Sequence, residues 1–210
     1  MDWAILWHYR GALWEGFLAT LGLSAASIVG SFLVGTIVGC IGSLAGFLGP
    51  RLASLYVEPL RNVPLVVKLF FLYFVAGLDA IWASIISLIL HQSAYIADVV
   101  SAGLRSIPRG QIEAARALGH GSPQIFSFVL LPQALRVVIP PLTSQFIEVV
   151  KNSSVVMLIG VQELTFQTQA IEDKTFRGFE AATAVTVLYV VIALSLARLM
   201  ARAHARLMHP

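Results

Sequence analysis

Charged residues are scarce in this sequence of 210 residues: Asp, Glu, Lys and Arg make up 12% of it, about half of the ~25% that is usual in a soluble domain. From Phe17 to Phe47 no charged residue occurs at all, although ~20 apolar residues already span a bilayer. A second uncharged run, Ala181 to Ala197, precedes Arg198, Arg202 and Arg206. This shortage of charge excludes an ordinary soluble protein and predicts an integral, all-α membrane protein.

The sequence also lacks the motifs of several kinds of chemistry. Cys40 is the single cysteine, so no internal disulfide can form, and we interpret it as a small packing residue. The five histidines show no metal-ligand spacing such as HExxH, and no GxxxxGK[ST] phosphate loop is present. We interpret the histidines as solvated or interfacial. We expect no cofactor, no metal site and no enzyme activity in this chain, because its connecting segments are too short for a catalytic domain.

The formal net charge is +3, and its distribution is typical of membrane topology, so no nucleic-acid partner is expected. Three cationic segments alternate with segments that are poor in Lys and Arg or are acidic. The cations are Arg51, Arg105, Arg109, Arg116, Arg198, Arg202 and Arg206, and the acidic residues are Asp79, Glu163, Glu172, Asp173 and Glu180. By the positive-inside rule, the N-terminus lies outside and the C-terminus in the cytoplasm.

The apolar runs predict about five transmembrane helices in a single membrane domain, residues 1–210, without internal repeats. The predicted crossings are Leu13–Phe47, Leu52–Leu78, Ala80–Val100, Ile125–Val150 and Phe179–Met200. Pro132 and the pair Pro140-Pro141 are expected to bend the fourth crossing. An odd number of crossings places the two termini on opposite sides, in agreement with the charge distribution.

Small residues recur every three to four positions in the first crossing. Gly35, Gly39, Gly42 and Gly46 form the pairs GTIVG and GSLAG, and such pairs allow a second helix to approach closely. That helix belongs either to this chain or to a partner.

A polar stretch, SIPRGQIEAARALG, separates crossings three and four. Pro108 can open a short helix, Gly119 and Gly121 end it, and Ser122-Pro123 starts the next one. Segment 105–124 is therefore predicted to place one exposed helix across the cytoplasmic membrane face. This helix is either a lever for an external protein or an amphipathic loop at the interface.

The longer stretch EAARALGHGSPQIFSFVLLP resembles the EAA motif of ABC importer permeases. The match covers Glu113, Ala114, Ala115, Gly119 and the Leu131-Pro132 pair. It implies that segment 105–124 is a coupling helix that docks into a cytoplasmic ATPase.

Other segments, among them YVEPLRNVPLVVKLFFLYF and LPQALRVVIPPLTSQFIEVVKNSSV, are similar to the polar amino acid branch of these permeases. The resemblance implies a type I importer with a MetI-like permease fold in a bacterial inner membrane. It also implies as partners two copies of a cytoplasmic ABC ATPase subunit, a second permease subunit (identical or homologous), an extracytoplasmic amino-acid-binding protein, the transported amino acid and membrane lipid.

Two departures from that branch bear on the cargo. The chain has Arg61-Asn62-Val63-Pro64 in place of Arg-Gly-Thr/Ser-Pro, and Lys151-Asn152-Ser153 in place of Lys-Asp-Thr/Ser. Both variants look more like the glutamate/aspartate permeases, and they favour an acidic cargo.

Charged residues inside predicted crossings are candidates for the substrate path, because they are costly in a membrane. Glu58, Tyr95 and Asp98 form one group, with Tyr95 and Asp98 on one face of the third crossing. The alternatives are structural: Glu58 pairs with Arg61 on its own helix, Lys68 pairs with a carboxylate on another helix, and Asp98 bridges to a neighbour.

The second candidate is KNSS, Lys151–Ser154, where the apolar pattern is interrupted. A broken helix in a membrane lines protein or a watery cavity and is a common substrate site in transporters. Freed N–H groups, the hydroxyls of Ser153 and Ser154, the Asn152 amide and the Lys151 cation would then hold a carboxylate. The alternative is a turn at the outer surface.

Two other function classes compete with an ATP-driven importer. An ion-coupled carrier or channel would use Asp98 and Glu148 as ion ligands, and a structural membrane subunit would have no cargo path. Neither class needs the EAA motif, which therefore favours the permease.

Overall fold

A computed structural model describes residues 2–43 and 47–208. Within this part the chain is helical and contains no strand. The α-helices are α1 (Ala4–His8), α2 (Arg10–Ser43), α3 (Leu48–Asn62), α4 (Leu65–Phe70), α5 (Ala80–Arg105), α6 (Arg109–Ala117), α7 (Ser122–Ile125), α8 (Leu131–Asn152), α9 (Leu164–Thr175) and α10 (Gly178–Met208). Two π-helical turns, Phe71–Val75 and Phe126–Leu130, follow α4 and α7, and a 3₁₀ helix, Ser153–Ile159, follows α8.

Four continuous helical spans are long and apolar enough to cross a membrane: Arg10–Ser43, Ala80–Arg105, Ser122–Ile159 and Gly178–Arg206. They confirm the first, third, fourth and fifth predicted crossings with shifted ends. The first helix ends at Ser43, before residues 44–46, which lie outside the described part.

The second predicted crossing, Leu52–Leu78, is wrong as a single helix. It is divided into α3 and α4 at Val63-Pro64, and the shorter apolar piece covers Leu65–Val75. Proline has no N–H and disfavours the α conformation in the residue before it. Val63 accordingly adopts an extended conformation, with φ −90° and ψ 126°. The proline that the sequence shows within an apolar run thus ends the helix.

The buried face of α2 consists of small residues. Apart from Leu13 and Leu23, that face carries only Gly, Ser and Thr, whereas Leu33 and Ile37 point outward and are 57% and 62% exposed. Lipid tails are as apolar as leucine, so helices in a membrane associate through close packing rather than through burial of large side chains. The composition of α2 is therefore that of a lipid-facing helix with a small-residue contact face.

This contact face packs against α5 of the same chain. A Cβ atom on Gly35 would lie 2.7 Å from the carbonyl oxygen of Ser93, and one on Gly39 would lie 2.7 Å from that of Ala97. Both distances are below van der Waals contact, so these positions require glycine. Packing within the subunit is confirmed for this pair, and Gly46 lies outside the described residues.

Helix α5 also contacts α3 and α8. A Cβ on Gly103 would approach Cγ2 of Val138 to 2.1 Å, so α5 and α8 also meet through a glycine. Because α5 touches three long elements and ends beside the polar segment 105–124, it is the central helix of the bundle. Helix α9, which the apolar pattern did not predict, lies against α2 and α10.

Candidate functional site

The polar segment between α5 and α8 has the predicted geometry. Helix α6 follows Pro108 and ends at a corner where Gly119 has φ +84°, a left-handed conformation that favours glycine. Glu113 and Ala114 are exposed, and Ala115 packs inward at 7% exposure. Leu118, beside the corner, is 79% exposed. An apolar side chain presented in this way is suited to contact another protein.

Leu131 and Pro132, the last two residues of the EAA-like motif, lie in the first turn of α8 and are exposed. The motif therefore spans two helices and the corner that joins them. A hydrogen bond of 2.6 Å from Gln133 Nε2 to Gln111 Oε1 ties α8 to α6. Sequence reasoning missed this amide pair, because neither glutamine belongs to a recognisable motif.

A polar cavity of about 600 Å³ lies between α2, α3 and α5. It brings together the predicted residues Glu58, Tyr95 and Asp98, which come from two different helices. Its other polar and charged lining residues are Ser54, Arg61, Asn62, Ser101 and Arg105. Opposite charges thus share one cavity inside a largely apolar bundle.

An ion pair crosses this cavity. Arg61 of α3 donates from Nη1 to Oδ2 of Asp98 on α5, and both side chains are about half exposed, at 46% and 47%. The guanidinium carbon lies 5.0 Å from the ring centroid of Tyr95, within the range of a cation–π contact. Asp98 therefore bridges to a neighbouring helix, as one alternative predicted.

Glu58 does not form the pair with Arg61 that the structural alternative predicted. Arg61 turns to Asp98, and no cation of residues 2–43 or 47–208 forms an ion pair with Glu58. Glu58 is exposed and lines the cavity. The cavity consequently holds one carboxylate more than the pair requires, with Arg105 as its second cation.

Arg105, the last residue of α5, is the cavity-lining residue nearest in sequence to α6. Its Nη2 donates to the carbonyl oxygen of Gly42, at the end of α2. Asp98 lies seven residues before Arg105 on α5, a distance of about 10 Å at 1.5 Å per residue. One continuous helix therefore links the ion pair of the cavity to the segment that carries α6.

The predicted pairing of Lys68 with a carboxylate on another helix is wrong. Its Nζ lies 2.6 Å from the carbonyl oxygen of Leu60 and 2.9 Å from Nδ1 of His91, so its partners are a backbone carbonyl and an imidazole rather than a carboxylate. His91 is half-buried in this contact. The interpretation of all histidines as solvated or interfacial is therefore wrong for His91.

The Lys151–Ser154 segment does not open as predicted. The α-helix ends at Asn152, but the chain continues as a 3₁₀ helix to Ile159. In a 3₁₀ helix each N–H bonds to the carbonyl three residues earlier, so the helix change frees no row of N–H groups. The expected set of freed donors is wrong.

The side chains of this segment also have partners within their own helix. The hydroxyls of Ser153 and Ser154 each donate over 2.7 Å to backbone carbonyls three residues earlier. Lys151 Nζ lies 2.5 Å from Oε1 of Glu148, and the Asn152 side chain is half-buried. Lys151 and Ser154 line a separate cavity of about 190 Å³ with Tyr189. The structure thus separates the two predicted groups of path residues.

Glu163 belongs to the acidic segment that the charge distribution predicts to lie outside, and its side chain is fully buried. It accepts a hydrogen bond from the Tyr189 hydroxyl at 2.5 Å and one from the Phe166 N–H at 2.8 Å. Burial raises the pKa of Glu163, while these hydrogen bonds lower it. Glu163 caps α9 and joins it to α10. Sequence reasoning missed this cap, because α9 was not predicted and Glu is not among the residues preferred at helix N-caps.

Residues 31–209 match the family described as binding-protein-dependent transport system inner membrane component. The glutamine transport system permease protein GlnP of Escherichia coli (strain K12) is 33% identical to this chain, over 98% of this chain and 97% of the relative. The glutamate/aspartate import permease protein GltJ of the same strain is 36% identical, over 88% of this chain and 82% of the relative. The similarity to both relatives extends beyond the polar segment to most of the bundle.

Two solved structures have the same arrangement of helices. A chain of an amino acid ABC transporter crystallised with histidines superposes with a TM-score of 0.88 at 29% identity, over 98% of this chain and 99% of the other. A chain of the MetNI methionine ABC transporter in an inward-facing conformation superposes with a TM-score of 0.79 at 25% identity, over 99% of both chains.

Proposed function

The chain belongs to the family of binding-protein-dependent transport system inner membrane components, and from this membership we propose that it is the permease subunit of an ATP-driven importer of glutamate and aspartate. Its fold is the all-helical, MetI-like fold of type I ABC importer permeases. The family match over residues 31–209 is the observation that carries the proposal. The names of the relatives given above specify transport of glutamine or of glutamate and aspartate, which supports a polar amino acid as the cargo.

The working complex contains two copies of a cytoplasmic ATPase, a second permease subunit and an extracytoplasmic binding protein that delivers the cargo. The N-terminus of this chain faces the periplasm and its C-terminus the cytoplasm. The cationic side chains of Arg105, Arg116 and Arg202 support this orientation, because Lys and Arg accumulate on the cytoplasmic side.

Helix α6 is the coupling helix. It is exposed, it presents Leu118 beside the glycine corner, and it is joined to α8 through the Gln111–Gln133 hydrogen bond. A displacement of α6 by the ATPase would pass directly into α5 and α8, the two helices on either side of the segment. Because α5 carries Asp98 and Tyr95, the displacement would reach the polar cavity through only the short Ser106–Pro108 link.

The cargo passes along the polar cavity between α2, α3 and α5. An amino acid is a zwitterion, and the cavity offers matching charges: Arg61 for a carboxylate, and Asp98 with Glu58 for the ammonium group. A cargo carboxylate can replace Asp98 on Arg61 while the cargo ammonium group neutralises Asp98. This exchange leaves neither Arg61 nor Asp98 without a partner, which matters because burial of a lone charge is costly.

Lys151–Ser154 is a second contact for the cargo and bears on the preference for acidic amino acids. Lys151 is more than half exposed, so its cation can leave Glu148 for a carboxylate. An uncharged Asn152 adds no repulsion. A carboxylate that meets Arg61 and later Lys151 would be favoured over the corresponding amide.

An ion-coupled carrier is less well supported. The two carboxylates that it would need, Asp98 and Glu148, are paired with Arg61 and Lys151, and neither shares a site with the other. A cluster of three or more His, Cys, Asp or Glu side chains suited to a metal ion is absent from the described residues.

The test is purification of the complex and identification of its subunits, followed by the ATPase rate with binding proteins loaded with glutamate, aspartate or glutamine. We expect ATPase subunits to copurify, and the acidic cargoes to stimulate hydrolysis most. Uptake that proceeds without ATP would contradict the proposed function. Strongest stimulation by glutamine would keep the importer and change its cargo.

A further inference from the structure

Lys68 is the single buried Lys or Arg side chain in the part of the chain whose burial is described, with 8% of its surface exposed. It does not line the polar cavity, and no carboxylate lies within ion-pair distance of it among the described residues. Burying a cation is costly unless it is well hydrogen-bonded. Its two contacts, with Leu60 and His91, must therefore account for its position.

The first contact gives the Leu60 carbonyl a hydrogen-bond donor that the backbone cannot supply. In an α-helix the carbonyl of Leu60 would accept from the N–H of residue 64, but residue 64 is proline. Pro64 also places Val63 in an extended conformation, so the helix cannot continue past the carbonyl. Lys68 Nζ donates to this carbonyl over 2.6 Å. A side chain thus supplies the donor that the proline lacks.

The second contact connects Lys68 to His91 of α5. Nδ1 of His91 lies 2.9 Å from Lys68 Nζ, and since an ammonium group only donates, Nδ1 is the acceptor. The His91 ring meets the ring of Tyr95 edge-on, with 5.3 Å between centroids. Tyr95 in turn lies under the Arg61 guanidinium. Lys68 is therefore linked to Arg61 twice, through the Leu60 carbonyl in α3 and through the rings of α5.

We propose that Lys68 is a positioning residue, which fixes the α3–α4 bend at Pro64 and so holds Arg61 against Asp98 in the polar cavity. It acts on the cargo only through Arg61. This inference rests on the proposed function of the cavity as the cargo path. Its local part, the stabilisation of the bend, is independent of that function.

The test compares Lys68→Met, which removes the donor but keeps a long side chain, with Lys68→Arg, which retains a donor. Lys174→Met is the matched control, because Lys174 is an exposed cation on α9. In the purified complex, hydrogen–deuterium exchange of the backbone amides of residues 61–63 and 65–70 should rise at least roughly tenfold in Lys68→Met, since the half-buried Leu60 carbonyl loses its charge-assisted partner. The other two variants should stay within about twofold of the parent protein.

Uptake by the reconstituted complex then separates positioning from general destabilisation. Lys68→Met should lower uptake several-fold at normal subunit stoichiometry, and Lys68→Arg should restore most of it. In an Arg61→Gln background, Lys68→Met should add little further loss, because residues that act through one another are not additive.

Unchanged exchange in Lys68→Met overturns the inference, and so does a full additional loss of uptake in the Arg61→Gln background. If Lys68→Met does not assemble, Lys68→Gln takes its place; it should raise exchange by a smaller factor, and unchanged exchange there also overturns the inference. Uptake that survives Arg61→Gln rejects the cavity as cargo path and, with it, the link from Lys68 to transport. The exchange measurement distinguishes that failure from a failure at Lys68.

Discussion

At the scale of single residues, Arg61 is the side chain on which most of the proposed cargo path depends. It pairs with Asp98, lies over Tyr95 and shares the cavity with Glu58. Both members of the pair are about half exposed, so the pair contributes at most about 1 kcal/mol to stability. A small role in stability and a large role in cargo binding can therefore be separated by experiment.

We predict that Arg61→Gln lowers uptake roughly tenfold, since a charge-assisted hydrogen bond is worth about 1.5–3 kcal/mol and each 1.4 kcal/mol is tenfold. The thermal stability of the complex should change little. The exchanged pair, Arg61→Asp with Asp98→Arg, is the control, because it keeps the ion pair but reverses its direction. Recovery of full uptake in the exchanged pair would show that the pair is structural only.

A second residue-scale prediction concerns Asn152. Asn152→Asp places a carboxylate beside Lys151 and should lower uptake of glutamate and aspartate more than that of glutamine, because like charges repel. Lys151→Ala and Asn152→Ala should each reduce uptake without preventing membrane insertion. The measurement is uptake of the three labelled amino acids by the reconstituted complex. If Asn152→Asp leaves all three rates unchanged from those of the parent protein, this segment is not part of the cargo path.

At the scale of elements, the connection from α6 to α5 and α8 is the feature on which the proposed coupling depends. The Gly119 corner and the short Ser106–Pro108 link leave little slack around α6. Nothing lies within 4 Å of a Cβ built on Gly119. A side chain there would consequently strain the backbone without a steric clash.

We predict that Gly119→Val uncouples transport, because a β-branched residue in a left-handed conformation costs about 1–2 kcal/mol. ATPase binding should weaken or cargo-stimulated uptake should disappear. Gly119→Asn should retain function, since Asn tolerates this conformation better, and Gly110→Ala on α6 serves as control because Gly110 has room for a Cβ and no positive φ. Wild-type behaviour of Gly119→Val would refute the assignment of α6 as the coupling helix.

At the scale of the whole molecule, the order and orientation of the spans decide which side each site faces. Segment 160–177, with α9, and the C-terminal end of α10 lie at opposite ends of the span Gly178–Arg206. If the C-terminus is cytoplasmic, Asp173 faces the periplasm. This assignment also places α6 at the cytoplasmic face.

Cysteine labelling tests the orientation in a variant in which Cys40 is replaced by Ala. A membrane-impermeant reagent applied to intact cells should label Asp173→Cys and leave Ala205→Cys unlabelled. Position 205 suits the experiment better than the half-buried His204, because its side chain is exposed. Labelling of both after permeabilisation is the control, and the reverse pattern in intact cells would contradict the orientation.

Patterns that depend on neighbouring residues were predicted well. Four spans, the Pro108 start of α6 and the positive φ of Gly119 follow from local chemistry: runs of apolar residues, a fixed proline φ and the absence of a Cβ in glycine. Pro64 is a helix breaker that the sequence also shows, but the apolar residues on both sides of it favour one continuous span. The predicted single helix 52–78 is therefore wrong.

Contacts between distant residues were beyond the sequence. Helix spacing placed Tyr95 and Asp98 on one face of α5, but the choice of Asp98 rather than Glu58 as partner of Arg61 depended on how α3 approaches α5. Likewise, a lysine in an apolar run suggested an ion pair, whereas the bend at Pro64 gave Lys68 a carbonyl and His91. At Lys151–Ser154, the polar residues indicated a break in the helix, but the chain continues as a 3₁₀ helix.

The sequence by itself determined that this protein is a membrane protein. It also determined which residues form the long spans and where an exposed helix interrupts them, because hydropathy and backbone preferences act within a few residues along the chain. Only the tertiary structure decided that the small face of α2 meets α5, that Glu58, Arg61 and Asp98 share one cavity, and that Lys151 lies apart from them. Those outcomes depend on the packing angles and registers of helices, which are set by the close fit of many side chains at once and not by any one stretch of sequence.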